Sequence, residues 1–483
     1  MSGRIKFWLC VGLAALVAGC GKPASEKPDV ILLHTGRLRG NVVPVGLPAP
    51  IQYFPLLAGY VKQVRTEAAR NGAEVILVDL GDSLGGSFAA HVTGSANIVA
   101  FFNKLGYDVV ALSNLDNHIT QEVLQKLKAR VINPFIGRDG KPATPGTELS
   151  AVVEKGGKRV VVVPNFYGDT SQQEFPDRFP AIFGEGGGVV TPLRDYAEVA
   201  KETGLSEPGT LGVLTWMKFE DTAKQPVEFL ANLSGLGVDV IVAHRIYGAK
   251  ERDAWAPTGF VDWKPPVSLN ILRNNGGFTI SRMDLRRDGD GWRVLRHELV
   301  PMTSNTAPYD SEVVELIAQF EPAIREADRR LAELPTAVDE GQILAGYLRS
   351  LTGLPGVSAV ITSRQSVRSD WPAGELRASE VFHAMPWTTP LLGVRLSRAE
   401  LDGVAEKLDL NGLIQADANP DELLVAMPEF FAVLVKNLLR RPDLAVEVLA
   451  ASEFDYFVGK LADERAFSTV VPEGWQPLVF SGR

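Results

Sequence analysis

Short apolar runs of strand length alternate with longer runs of helical spacing through the first two-thirds of the chain. That rhythm limits the possible folds more than any other feature. DVILLH, from Asp29, is followed by FPLLAGYVKQVRTEAARNG, then AEVILVDLGDS, ANIVAFFNKLG, YDVVALSN and TQEVLQKLKA. Nearly continuous Val, Ile and Leu without polar alternation marks strands buried on both faces, as in a parallel sheet covered by helices. The chain is therefore expected to be α/β. KRVVVVPNF, GTLGVLTWM and VDVIVAH are further strand candidates. In GGFTISRMDLRRDGDGWRVLRHELVPM two alternating runs flank DGDG, which predicts a β-hairpin closing a first domain. Asp310 to Leu334 shows apolar residues at helical spacing and is predicted as one amphipathic connector helix. From about Ala337 a second α/β region begins, with EGQILAGYLRSL and RAELDGVAEKL as helices and VSAVITS, LLGVRLS and LAVEVLAAS as strands. A length of 483 residues exceeds what one core usually supports.

The N-terminus carries a different signal. Arg4 and Lys6 precede FWLCVGLAALVAG, a run shorter than a membrane-spanning helix needs. A charged start and a short apolar stretch make a secretory signal peptide. The run ends LVAGC, small residues before a cysteine, and so resembles a bacterial lipobox. Residues 1–19 are then the signal, Cys20 is the lipidation site, and residues 20–28 are a polar tether. The competing reading is an uncleaved membrane anchor. Gly21 rather than Asp after Cys20 favours, by the same resemblance, the outer membrane with the protein facing the periplasm. Cys10 and Cys20 are the only cysteines, so no disulfide is expected in the mature chain. The formal charge of −9 becomes −11 once Arg4 and Lys6 leave. An acidic balance argues against nucleic acid as a partner.

The order of the blocks LVDLGDSLGGS, LGYDVVALSN and WPAGELRASEVFHAMPWTTPLLGVRLSRAELDGV resembles the bacterial 5′-nucleotidase / 2′,3′-cyclic phosphodiesterase family. That resemblance implies a four-layer αββα metallophosphoesterase-like sandwich over 29–305, a connector over 306–336, and a smaller α/β 5′-nucleotidase C-terminal domain over 337–483. It also implies two divalent metals, roughly 3.5–4 Å apart, that hold phosphate and activate water. The family's first strand ends His-Thr-Asn-Asp-x-His-Gly; here it ends His34-Thr35-Gly36-Arg37-Leu38-Arg39-Gly40. Two metal-ligand positions thus carry Arg37 and Arg39. The bridging Asp is kept as Asp82 and the ligand Asn as Asn114, while the catalytic His position is Leu115. The mid-domain ligand His falls on Trp216, and the final ligand pair on Arg245 and Tyr247. A one-residue slip would place His244 in the first position of that pair. An arginine about 4 Å from a dication repels it by roughly 8 kcal/mol at an effective dielectric of 20. Intact catalysis of the family type, with Zn, Mn or Fe, is therefore not expected, and no catalytic residue is assigned.

Arg37 and Arg39 are expected either to pair with Asp82, which would otherwise be a costly buried charge, or to point into solvent. In the C-terminal region the family's nucleotide-contacting positions fall on Arg368, Trp387 and Tyr456, without the flanking glycines. The two aromatics either sandwich a flat ring or serve as packing. His91, His118, His297 and His383 show no ligand spacing. Three functions follow. The first is a pseudoenzyme that binds an anion, a nucleotide-like ligand or an envelope partner, without a cofactor. The second is a hydrolase working either with one metal at Asp82, Asn114 and His244 or without a metal by a different mechanism. The third is a structural envelope lipoprotein.

Overall fold

The computed structural model describes residues 26–43, 53–113, 116, 119–134, 141–142, 144–165, 196–216, 235–245, 267–271, 279–408, 410–441, 443–464 and 467–478. The lipobox with Cys20, and Asn114, Leu115 and Tyr247, lie outside them.

The N-terminal region opens with β1 (Val30–Thr35), α1 (Tyr53–Asn71), β2 (Glu74–Asp79), α2 (Phe88–Thr93), α3 (Ala96–Leu105), β3 (Val109–Ala111), α4 (Gln121–Leu124) and β4 (Arg130–Ile132). It continues with β5 (Ala151–Lys155), β6 (Lys158–Pro164), α5 (Tyr196–Thr203), β7 (Leu211–Trp216), β8 (Val240–Arg245) and β9 (Val267–Ile271). The hairpin expected around DGDG forms from β10 (Thr279–Asp288) and β11 (Gly291–Pro301). One sheet runs β11-β10-β1-β2-β3-β4 and the other β5-β6-β7-β8-β9. β1 to β4 are mutually parallel, as are β6 to β9.

Side-chain alternation turns these two sheets into four layers. Val30, Leu32, Ile76 and Val78 face Val160, Val162, Val213 and Val240 between the sheets. Ile31, Leu33, Val75 and Leu77 point the other way, under Phe54 and Val61 of α1 and Phe101 and Phe102 of α3. On the far side Val161, Leu214 and Ile241 pack under Tyr196 and Val199 of α5. Strands buried on both faces must be apolar at every position, which is why they read as unbroken Val/Ile/Leu runs.

The connector differs from the single helix expected over Asp310–Leu334. It forms α6 (Ser311–Ala318), α7 (Glu321–Ala327) and then β12 (Arg330–Leu334). Asp310 caps α6 by accepting from the backbone N–H of Glu312 and Val313. The break follows from Pro322, which sits in the first turn of α7. Proline lacks an N–H and clashes with the carbonyl four residues back, so it starts a helix and does not continue one. β12 pairs antiparallel with β14 (Gly374–Arg377), burying Leu331, Ala332 and Leu334.

The C-terminal region contains α8 (Glu340–Leu351), β13 (Ala359–Ser363), α9 (Ala378–Ala384), β15 (Leu391–Leu396), α10 (Arg398–Leu408), β16 (Leu410–Gln415) and β17 (Leu423–Pro428). It ends with α11 (Glu429–Leu439), β18 (Val446–Ala450), α12 (Glu453–Glu464) and β19 (Trp475–Pro477). Its sheet runs β18-β15-β17-β13-β16-β19, with a core on each face.

The two regions meet through α2. Ser87 caps this helix on the Ala90 N–H, and Gly94 ends it in the left-handed region at φ 54°. Phe88 and Ala89 belong to the same apolar cluster as Phe382 of α9 and Phe454 of α12. The Phe88 ring centre lies 6.0 Å from that of Phe382 and 6.3 Å from that of Phe454. His91 stacks on Phe382 at 5.5 Å, and its Nε2 lies 3.3 Å from Asp455 Oδ1.

Candidate functional site

β1 and β2 are parallel and end side by side at Thr35 and Asp79. The loops that leave them run together and are joined by backbone hydrogen bonds. Arg37 N–H donates to the Gly81 carbonyl (2.9 Å), Arg39 N–H to that of Asp82 (3.2 Å) and Gly40 N–H to that of Ser83 (2.7 Å). This ladder requires unusual backbone. Arg37, Arg39 and Asp82 all sit in the left-handed region, at φ 57°, 51° and 53°. For a non-glycine residue that costs roughly 1–2 kcal/mol each, and such strain clusters at functional sites. Gly40 is required for a second reason. A Cβ there would lie 2.5 Å from the Ala90 Cβ, so the loop passes directly against α2.

The strained backbone brings three charges together. Arg37 Nε donates to Asp82 Oδ2 at 2.8 Å, and Arg39 Nε stands 3.5 Å from the same oxygen. Side-chain exposure is 12% for Arg37 and 4% for Asp82, so the pair is largely withdrawn from solvent, while Arg39 is a third exposed. Of the two expectations for these arginines, pairing with Asp82 is the one found. Burial, and then the neighbouring Arg39, hold the Arg37 pKa below its ordinary value, with Asp82 pulling the other way.

Two further carboxylates build the loop. Asp116 Oδ2 accepts from Asp82 N–H (2.7 Å) and from both the N–H and the hydroxyl of Ser113 (3.0 Å each), and its Oδ1 accepts from Leu84 N–H (3.0 Å). Asp79 accepts from Thr35 Oγ1 (2.7 Å) and Gly81 N–H (2.9 Å), and the Tyr107 hydroxyl lies 2.9 Å from Thr35 Oγ1. Burial pushes the Asp79 pKa up to about 7 and raises that of Asp116. His34, at the end of β1, is fully buried, and burial with the nearby His297 pulls its pKa down to about 3.

These residues do not fit a pair of divalent metals. Asp82 is engaged by a guanidinium group, a second guanidinium stands beside it, and the oxygens of Asp79 and Asp116 already accept hydrogen bonds. Trp216 ends β7, and His244 and Arg245 end β8, in the second sheet; their side chains lie outside the described residues.

Arg368 faces this group from the C-terminal region. Arg39, Asp82 and Arg37 all act electrostatically on it, and burial followed by Arg39 lowers its pKa. Its guanidinium carbon lies 4.5 Å from the centre of the Trp387 ring, a cation–π geometry. Trp387 Nε1–H in turn donates to the Ser366 carbonyl at 2.7 Å. His383 sits close enough for burial, Arg368 and Arg39 to lower its pKa, so it favours the neutral form. The Tyr456 hydroxyl donates to the Ser350 carbonyl at 2.9 Å, and the Phe454 N–H two residues before it donates to the Trp387 carbonyl at 2.9 Å. Trp387 and Tyr456 both pack against the core of the C-terminal region.

Sequence reasoning did not anticipate Asp79, Asp116 or His383. Asp116 accepts from the Ser113 N–H three positions back and from the Asp82 and Leu84 N–H groups far away in sequence, and no residue spacing signals those contacts.

The fold matches solved structures along nearly its whole length. A putative 5′-nucleotidase from Staphylococcus aureus, in complex with alpha-ketoglutarate, superposes with a TM-score of 0.64 at 15% identity, covering 92% of this chain and 98% of that one. A 5′-nucleotidase precursor from Thermus thermophilus gives 0.61 at 15% identity, covering 91% and 97%. The sulfate thiohydrolase SoxB of the same species gives 0.58 at 14% identity, covering 92% and 95%. No protein-family model matches the sequence, and no curated protein matches it. The chain has the two-domain architecture of the 5′-nucleotidases, a metallophosphoesterase-like sandwich followed by the smaller α/β domain.

Proposed function

We propose that this chain is a lipid-anchored protein of the bacterial envelope, held through Cys20 at the outer membrane and facing the periplasm, which binds an anion beside Arg37, Arg39 and Arg368 and does not hydrolyse a phosphate ester there. The observation that carries the reading is the Arg37–Asp82 pair with Arg39 beside it and Arg368 facing it. Arg37, Arg39 and Arg368 bring three guanidinium groups to the paired Asp82, while the other two carboxylates of the loop, Asp79 and Asp116, are buried and spend their oxygens on protein donors. Guanidinium groups bind phosphate and carboxylate through paired hydrogen bonds. Trp387 gives the ligand an aromatic wall, which suits a nucleotide-like anion. The alpha-ketoglutarate held by the Staphylococcus aureus protein makes a dicarboxylate a second natural probe.

Isothermal titration with inorganic phosphate, adenosine monophosphate and alpha-ketoglutarate tests the reading. Binding of at least one, lost in Arg368→Ala, is expected. No heat with any of them contradicts it. Phosphatase and cyclic phosphodiesterase assays with added Zn, Mn or Fe check hydrolysis separately. Turnover by the unaltered chain that depends on the metal would replace this reading with a metal-dependent hydrolase.

A further inference from the structure

Glu453 opens α12 and is only 1% exposed. Phe454 and Phe457 after it, and Tyr347 of α8, belong to the apolar cluster of the C-terminal region. The Tyr347 hydroxyl acts on the Glu453 carboxyl, yet among the described residues neither carboxyl oxygen nor that hydroxyl completes a hydrogen bond. Burial therefore holds the proton on Glu453, with a pKa pushed up to about 8. Once that proton leaves, an uncompensated carboxylate in an apolar core is costly, and the group is driven towards water.

Charged groups on the elements packed around this turn are engaged elsewhere. Arg349 of α8 pairs with Glu464, Arg330 of β12 with Glu333, and Glu380 of α9 accepts from the Arg377 N–H. Asp455 pairs with His91, Lys460 lies over the Tyr456 ring, and His383 of α9 lies near Arg368 and Arg39. Glu340 stands at the start of α8. None of these acts on Glu453, so none receives its charge.

The same turn is tied to two neighbours. Glu453 N–H donates to the Thr389 carbonyl (2.8 Å) and Phe454 N–H to the Trp387 carbonyl (2.9 Å). Trp387 is the ring over which Arg368 lies. Phe454 packs on Phe88 and His91 of α2, and Asp455 meets His91. One buried carboxyl thus sits where the aromatic wall of the anion site and the contact between the two regions share a backbone.

We propose that Glu453 is a positioning residue for the Arg368–Trp387 side of the site, and that its proton keeps that side and the contact with α2 in place. Deprotonation draws the side chain out of the core, shifts the first turn of α12, and releases Trp387 and Phe454 together. The effect on the site rests on the anion-binding reading; the effect on the contact with α2 does not.

Titration calorimetry with alpha-ketoglutarate tests the first effect, since its carboxylates stay charged in neutral and alkaline buffer. The protonated fraction of a group with a pKa of about 8 falls about tenfold between about pH 7 and pH 9, and the parent's affinity should fall by that factor more than that of Glu453→Gln, which stays uncharged. Asp79 and Asp116 titrate in both proteins, so the comparison isolates Glu453. Tyr347→Phe removes the hydroxyl that lowers the Glu453 pKa and should move the fall to higher pH, which keeps a test if the amide does not fold. Calorimetric unfolding without ligand tests the second effect. The parent should unfold in one transition at the lower pH and in two at the higher, and Glu453→Gln in one at both. An equal fall in parent and Glu453→Gln, a fall unmoved by Tyr347→Phe, or a parent transition that stays single overturns the proposal. If alpha-ketoglutarate binds at neither pH, the anion-binding reading loses that ligand and the unfolding transitions alone decide for or against Glu453.

Discussion

Arg37 Nε lies 2.8 Å from Asp82 Oδ2, and both residues hold left-handed backbone to make that contact. Asp116 fixes the Asp82 N–H, and Gly81 accepts from the Arg37 N–H, so the pair is set by its loops as much as by its charges. Removing one partner of a withdrawn ion pair costs about 3–5 kcal/mol, because the other charge is left without compensation. Arg39, 3.5 Å away, offsets part of that here. Arg37→Ala should therefore lower stability by about 2–3 kcal/mol in urea unfolding. Arg37→Met with Asp82→Leu should recover most of the loss. A single variant as stable as the parent would mean the pair carries no structural weight.

If the group around Asp82 is an anion site, Arg368 acts there by holding the ligand. It is exposed on one side, and its main protein partner is the Trp387 ring. Arg368→Ala should weaken binding of the best anion by about ten- to a hundredfold, the value of one charge-assisted hydrogen bond of about 1.5–3 kcal/mol. Unfolding midpoints should stay within about a degree of the parent. Titration calorimetry beside thermal unfolding separates the two effects.

Asp116 works on the loop and not on the ligand. Asp116→Asn keeps the size of the side chain but turns one oxygen into an NH2 group facing N–H donors. Asp82 N–H or Leu84 N–H then loses its acceptor. A buried unsatisfied donor costs about 1–3 kcal/mol. Stability should fall by that amount, and anion affinity should fall with it, because the Arg37 and Arg39 ladder hangs on the same loop. Unchanged affinity in Asp116→Asn would uncouple the loop from the site.

Glu453 gives a pH signature. Its carboxyl is fully buried, and burial pushes its pKa up to about 8, with the neighbouring Tyr347 hydroxyl pulling the other way. The unfolded chain ionises near the ordinary 4.5 while the folded chain keeps its proton to about 8. Stability from this group is complete below the lower value and is lost as pH rises through the window. Asp79 acts in the same sense with a pKa of about 7, so the comparison needs a variant. Glu453→Gln should flatten the fall in unfolding free energy, measured by urea titration between about pH 5 and pH 9, by an amount on the order of a few kcal/mol. Parallel curves for parent and variant would contradict the assignment.

Phe88 ties the two regions into one core. Phe88→Ala should cost about 3–5 kcal/mol as a buried aromatic truncation. It should also split the calorimetric transition in two, since the shared cluster with Phe382 and Phe454 is what couples the regions. One sharp transition in the variant would show that other contacts hold them together.

Much of the fold was legible because strands buried on both faces leave continuous apolar runs, as β2 and β6 do. The β10–β11 hairpin was legible from its turn. The connector misled because the apolar spacing of α6 and α7 hid the Pro322 break, and because β12 is too short for its alternation to outweigh helical spacing. At the site, Arg37, Arg39 and Asp82 were visible as side chains that could pair. Asp79 and Asp116 were not, since they act on backbone N–H groups that no residue pattern displays. His91 meets Asp455 across 364 positions, a partnership only tertiary packing creates.

The central claim is that guanidinium charge at Asp82 excludes metal and admits an anion. Crystals grown with manganese and phosphate, measured for anomalous scattering, test it most directly. The account predicts phosphate between Arg39 and Arg368 with no anomalous peak beside Asp82. A pair of manganese peaks against the Asp82 carboxylate, with Arg37 swung away, would contradict it.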